Sequence, residues 1–114
     1  MAFLSEKIVK ARKAHICDGC CTEIVPRTTY NEYRGYNDGH YTLRHHIECM
    51  KVERELNRVN DLTDDEWMPL HEHYNGAGPD LLTEIDPVVA DRLRLWVKQS
   101  EERRRAKRAA QAAA

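Results

Sequence analysis

Cys17, Cys20, His46 and Cys49 carry the most legible chemistry in this chain: Cys-Asp-Gly-Cys, a gap of 25 residues, then His-Ile-Glu-Cys. Each x-x spacing lets two side chains converge on one ion, and three thiolates with one imidazole close a tetrahedron. The expected cofactor is Zn²⁺ in a closed structural site, because all four coordination places are filled by protein and none is left for water or substrate. Two substitutions are geometrically open. His45 could stand in for His46, and Cys21 for Cys20. His46 is preferred because His45 continues the strand face of Tyr41 and Leu43. Cys21 reads as a small buried residue or a spare thiol. Disulfides are the competing use of four cysteines. The adjacency of Cys20 and Cys21, and the histidine that completes the quartet, favour metal.

The elements that must position these ligands follow from local pattern. Cys17 and Cys20 belong on a tight knuckle turn in which Gly19 permits the backbone path and amides donate to sulfur. Residues 24–45 read as a β-hairpin: Pro26 blocks helix, Thr28–Arg34 alternates, Gly35-Tyr36-Asn37-Asp38-Gly39 turns, and His40–His45 returns. Residues 47–60 read as a helix whose stripe of Cys49, Val52, Leu56 and Val59 turns the fourth ligand inward. Residues 3–14 are a basic lead-in in which Ser5 could cap a short helix. Thr63 and Glu66 form a capping box for a short helix carrying Trp67 and ended or kinked by Pro69. Asn75–Pro79 is a loop. Asp86-Pro87 starts a last helix with the stripe Val89, Leu93, Trp96 and Val97. Trp67 and Trp96 are expected to share a core, and His71-Glu72-His73 to be ordinary surface.

The fold class this implies is α+β: a small zinc-stabilised β-hairpin plus helix, treble-clef-like, with C-terminal helices. Residues 1–60 would form the zinc-binding ββα module, residues 61–100 a helical extension packed on it, and residues 101–114 a basic, alanine-rich tail that frays. The chain has 114 residues, 32% of them charged, and many of its apolar residues are tail alanines, so a metal staple is physically useful.

The net charge of −1 conceals segregation. Residues 1–51 hold eight Lys/Arg against six Asp/Glu, residues 52–86 two against ten, and residues 87–114 eight against three. A basic field over the whole protein is absent, so nucleic-acid binding would use local patches. Lys10, Arg12, Lys13, Arg27, Arg34 and Arg44 are the candidate contacts. The hairpin interleaves the last three with Tyr30, Tyr33, Tyr36 and Tyr41, which could stack on bases or pack across strands around the site. The tail cations Arg103, Arg104, Arg105, Lys107 and Arg108 form either a second patch or a solubilising end. No apolar signal stretch or membrane span is visible, since Phe3-Leu4 is followed at once by Ser5-Glu6-Lys7, and the expected location is cytoplasmic.

Over residues 12–56 the quartet and its Tyr/Gly-rich hairpin resemble the zinc finger of the poly(ADP-ribose) polymerase type. They also resemble small treble-clef-like zinc proteins of bacteriophages and prophages. The first resemblance implies DNA recognition; the second implies an accessory protein that binds and modulates a host protein. The expectation is a non-catalytic, nucleic-acid-binding regulatory finger, with the host-protein modulator as the alternative. An HNH-type nuclease, suggested by His45-His46, ranks lower because the helix offers Cys49, Glu53 and Asn57 but no second histidine.

Overall fold

The computed structural model describes residues 2–113, the side chains of residues 2 and 64 excepted. A three-stranded antiparallel sheet is ordered β1–β4–β5, with β1 at Ala2–Lys10, β4 at Thr29–Tyr36 and β5 at His40–His46. A two-stranded ladder, β2 (His15–Ile16) with β3 (Glu23–Ile24), brackets the knuckle. Helix α1 (Ile47–Val59) follows β5 directly. A 3₁₀ turn at Asp64–Glu66, α2 (Leu70–Ala77), a 3₁₀ segment (Gly78–Thr83) and α3 (Pro87–Ala113) complete the mixed α+β fold.

The lead-in segment is a strand, not a capped helix. Ser5 pairs with Arg34 and Lys10 with Thr29, with a bulge between Phe3 and Ser5. Ile8 and Val9 are β-branched, and β4 would otherwise leave its outer edge unpaired. The partner residues lie 19 (Lys10 to Thr29) to 34 (Ala2 to Tyr36) positions downstream, outside any local window. The β4–β5 register (Tyr33 opposite Leu43, Tyr30 opposite His46) then sorts the hairpin's side chains onto two faces. Tyr30, Glu32, Arg34 and Tyr36 share one face with His40, Thr42, Arg44 and His46. Asn31, Tyr33 and Gly35 share the other with Tyr41, Leu43 and His45. Two tyrosines, Tyr30 and Tyr36, therefore share a face with Arg34 and Arg44, while Tyr33 and Tyr41 lie on the other. Gly35 has a steric reason: a Cβ there would collide with the Tyr41 ring on the next strand.

Helix α1 turns Cys49, Val52 and Leu56 of the expected stripe toward the core, and buries polar residues beside them. Cys49, Met50, Glu53 and Asn57 are its buried residues, while Val59 is exposed. Glu53 and Asn57 can be inside because both are hydrogen-bonded to the chain that follows: Asn57 Nδ2 donates to the Met68 carbonyl (2.9 Å) and its Oδ1 accepts from Met68 N–H (2.9 Å). Beyond α1 half of the capping box forms: Glu66 Oε1 accepts from Thr63 N–H (3.5 Å) and from Thr63 Oγ1 (2.9 Å), while Glu66 N–H donates to the Thr63 carbonyl (3.0 Å) in a 3₁₀ turn. Pro69 starts α2 as its N-cap residue instead of ending a helix, a position where its missing N–H costs nothing. Residues 75–77 lie in α2 and Gly78–Thr83 in a 3₁₀ helix, so the expected loop at Asn75–Pro79 is helical.

The tryptophans part company. Trp67 donates to Glu53 Oε2 at 2.9 Å, whereas Trp96 packs edge-on to His71 and Tyr74. The α3 stripe of Val89, Leu93, Trp96 and Val97 faces inward, and Ala90 joins it. Val89 and Leu93 enter one buried cluster with Cys17, Cys20, Ile24, Tyr30, Cys49 and Leu70, so the cysteines are part of the core. Among the described residues, no helix is long and apolar enough to cross a membrane.

Candidate metal centre and the surfaces around it

Each ligand is delivered by a short, locally determined piece of backbone. The knuckle closes through Cys17 N–H to the Thr22 carbonyl (2.9 Å) and Cys21 N–H to the Cys17 carbonyl (2.9 Å). Gly19 and Cys20 N–H groups point at Cys17 Sγ, at 3.4 and 3.5 Å, as does His46 N–H at 3.4 Å. Such amides stabilise a thiolate and orient it. Gly19 is favoured by close approach and not by an unusual φ: a Cβ would stand 3.0 Å from the His45 ring and 3.2 Å from Glu53 Oε1. The left-handed residue is Cys21, at φ 62°, the place where a glycine is the easier fit. Cys49 sits in the first turn of α1, three residues after His46, so both side chains point the same way.

These pieces bring Cys17, Cys20, His46 and Cys49 together with all four donor atoms within 4.8 Å of one another, and all four residues are buried. Tetrahedral coordination with bonds of about 2.3 Å to sulfur and 2.0–2.1 Å to nitrogen places N and S about 3.6 Å apart. His46 Nδ1 lies 3.4 Å from Cys20 Sγ and 3.6 Å from Cys49 Sγ. His46 Nε2 lies 2.9 Å from the Glu23 carbonyl, which can accept a hydrogen bond from Nε2–H and so leave Nδ1 free to ligate. No disulfide joins these cysteines. Crowding alone does not permit three thiolates. Hydrogen bonds from Cys17 and then Cys49 drive Cys20 toward the thiolate. Cys17, donating to Cys20, is pushed up to about 12, and Cys49 is pushed up further by its bonds to Cys17 and Cys20. A dication supplies the charge that would let all three ionise. Arg92 of α3 adds a fixed positive charge at the rim, with Nη1 3.6 Å from Cys49 Sγ and 2.9 Å from Glu48 Oε2. That contact anchors α3 to the centre.

His45 is outside the cluster. Its Nε2 is 3.1 Å from the Glu53 carboxylate, and both residues are only 1% exposed. Glu53 also accepts from Trp67 Nε1 and from Leu70 N–H, each at 2.9 Å. This buried carboxylate ties β5, the 61–69 connection and the start of α2 to one atom group beside the knuckle. Sequence reading missed it because a glutamate on a helix is ordinarily solvent-facing. The His71-x-His73 pair is likewise not plain surface. His71 N–H donates to the Gly19 carbonyl (2.8 Å), its Nδ1 lies 3.4 Å from Cys21 Sγ, and His73 is buried.

Of the six candidate nucleic-acid contacts, the structure brings together five. Lys10, Arg12, Lys13, Arg27 and Arg34 line one groove of about 1040 Å³ on the sheet face away from α1, with Lys7, His15 and Tyr30. Glu32, the acid in this lining, is paired with Arg34 at 3.0 Å. Arg44 is not in the groove lining, but its charge, after partial burial and together with Lys13, lowers the His15 pKa. Lys7 joins the groove only because residues 2–10 form a strand, in which the i, i+2 spacing puts Lys7 and Val9 on one face. Comparison with family models, curated proteins and solved structures returned no match for this chain.

Proposed function

We propose that the four-residue centre holds Zn²⁺ and that the chain is a non-catalytic, nucleic-acid-binding zinc finger, as its resemblance to the polymerase-type finger implies. The observation that carries this reading is the convergence of Lys7, Lys10, Arg12, Lys13, Arg27 and Arg34 on one open groove. These six come from three separate stretches of sequence, and only the metal-braced fold makes them neighbours. Spaced guanidinium and ammonium groups in a trough fit a phosphate backbone, which gives affinity without base specificity. The non-catalytic reading is supported by the four protein donors, enough to complete a tetrahedral shell, and by the burial of His45 against Glu53.

Fluorescence anisotropy with labelled DNA and RNA across a salt series tests the reading. Binding should weaken steeply with salt, and replacing Lys10, Arg12 and Lys13 by Gln should flatten the log–log slope by about 2–3. No binding at low salt to any single- or double-stranded probe would end it. The second reading, a phage-type accessory protein that modulates a host protein, is favoured by one observation: the opposite face of the sheet carries an aromatic pocket set in the acidic segment 52–86.

A further inference from the structure

The aromatic pocket has a definite chemistry. It encloses about 470 Å³ between the α1-facing side of the sheet, α1 and the 61–69 connection, and is lined by Tyr33, Tyr41, Leu43, Met50, Glu53, Arg54, Asp65 and Trp67. Tyr33 and Tyr41 stand as a stacked pair with centroids 6.3 Å apart, and Phe3 extends that wall at 5.3 Å from Tyr33. Trp67 closes the pocket from the connection, its ring held in place by the Nε1–Glu53 bond. Two carboxylates, Glu53 and Asp65, border this apolar space. Arg54, the cation of the lining, is tied to Glu6 on β1 and so adds little free positive charge. The surrounding segment 52–86 holds two Lys/Arg against ten Asp/Glu. The segment is acidic, and three of the walls are aromatic, Tyr33, Tyr41 and Trp67.

We infer that this pocket receives an arginine side chain of a partner polypeptide. A planar guanidinium stacks on tryptophan and tyrosine rings through cation–π attraction. Its aliphatic stem covers Leu43 and Met50, and its fork meets the Asp65 carboxylate in a bidentate pair. An anionic ligand would face Glu53 and Asp65. Glu53 is already met by His45, Trp67 and Leu70, so Asp65 is the carboxylate that a cationic ligand would engage and a wholly apolar one would not. The pocket lies on the sheet face opposite the cationic groove, so this inference stands apart from the nucleic-acid reading, and substitutions in one surface leave the other intact.

The test uses metal-loaded full-length protein and acetyl-Gly-Arg-Gly-amide, read by the two tryptophan indole N–H resonances in ¹H–¹⁵N spectra. The Trp67 indole should shift saturably, with a Kd on the order of a millimolar for so small a ligand. The Trp96 indole should not move. The citrulline peptide, equal in shape but neutral, should give no saturable shift. Asp65→Asn, at an exposed position, should keep the spectrum folded and weaken binding about two- to fivefold, the size of a partly exposed ion pair. Absence of a Trp67 shift, equal response to citrulline, or a shift confined to Trp96 would each overturn the inference.

Discussion

At the scale of single residues, the centre depends on donors that cannot be exchanged without losing charge or reach. Cys17→Ser and Cys49→Ser are expected to lose stoichiometric zinc, as measured by elemental analysis after gel filtration. Cys21→Ser should retain it, because Cys21 Sγ faces His71 and not the cluster. Glu53 is the other residue whose loss should be felt throughout. Glu53→Ala removes the acceptor for Trp67, Leu70 and His45 in a buried site, and should lower unfolding free energy by about 3–5 kcal/mol in a denaturant titration of the zinc-loaded protein. The cysteine and histidine positions were legible because ligand spacing is a local property. Glu53 was not, since nothing in its neighbours on the helix foretells the donors that meet it from residues 45, 67 and 70.

At the scale of elements, the knuckle, hairpin and first helix follow from turn chemistry and alternation, while the edges depend on partners distant in sequence. The β4–β5 contact allows a direct check. Gly35→Ala would drive a Cβ into Tyr41, and should cost about 1–3 kcal/mol of stability, with part of the loss recovered in the double variant carrying Tyr41→Val. Helix α2 offers a pH signature. Burial lowers the His73 pKa, and the charged form is the one disfavoured in the fold. The folded pKa lies below the unfolded value, so this stabilisation is fully present above an unfolded pKa of about 6.5 and is lost as pH falls through the folded value. His73→Leu should therefore lose less stability between pH 7 and pH 5 than the parent chain, as read by thermal melts at fixed zinc. Acid also competes for the thiolates and His46 in both proteins, so the difference between the two curves is the informative quantity.

At the scale of the whole molecule, the Cys17–Cys20–His46–Cys49 cluster joins parts that are distant in sequence. The core cluster contains three ligand cysteines alongside residues of β3, β4, α2 and α3, and Arg92 adds a contact from α3 to Cys49. Chelation should therefore disorder the C-terminal helices as well as the finger. Protected amides at Leu70 and Leu93 should exchange freely in hydrogen-exchange measurements once zinc is withdrawn, while α3 beyond residue 100, exposed along its length, changes little. The sequence by itself determined the quartet, the x-x spacings that let each pair converge, the hairpin and the helices that carry them, because these rest on interactions within a few residues. Only the tertiary structure decided that residues 2–10 complete the sheet, that Glu53 and Asn57 go inside, that the two tryptophans serve different sites, and that cations from residues 7–13, 27 and 34 face one groove while Tyr33 and Tyr41 face a pocket on the other side. Each of those outcomes depends on which distant segment supplies a hydrogen bond or a neighbouring surface, and strand register and burial are fixed only when that partner is in place.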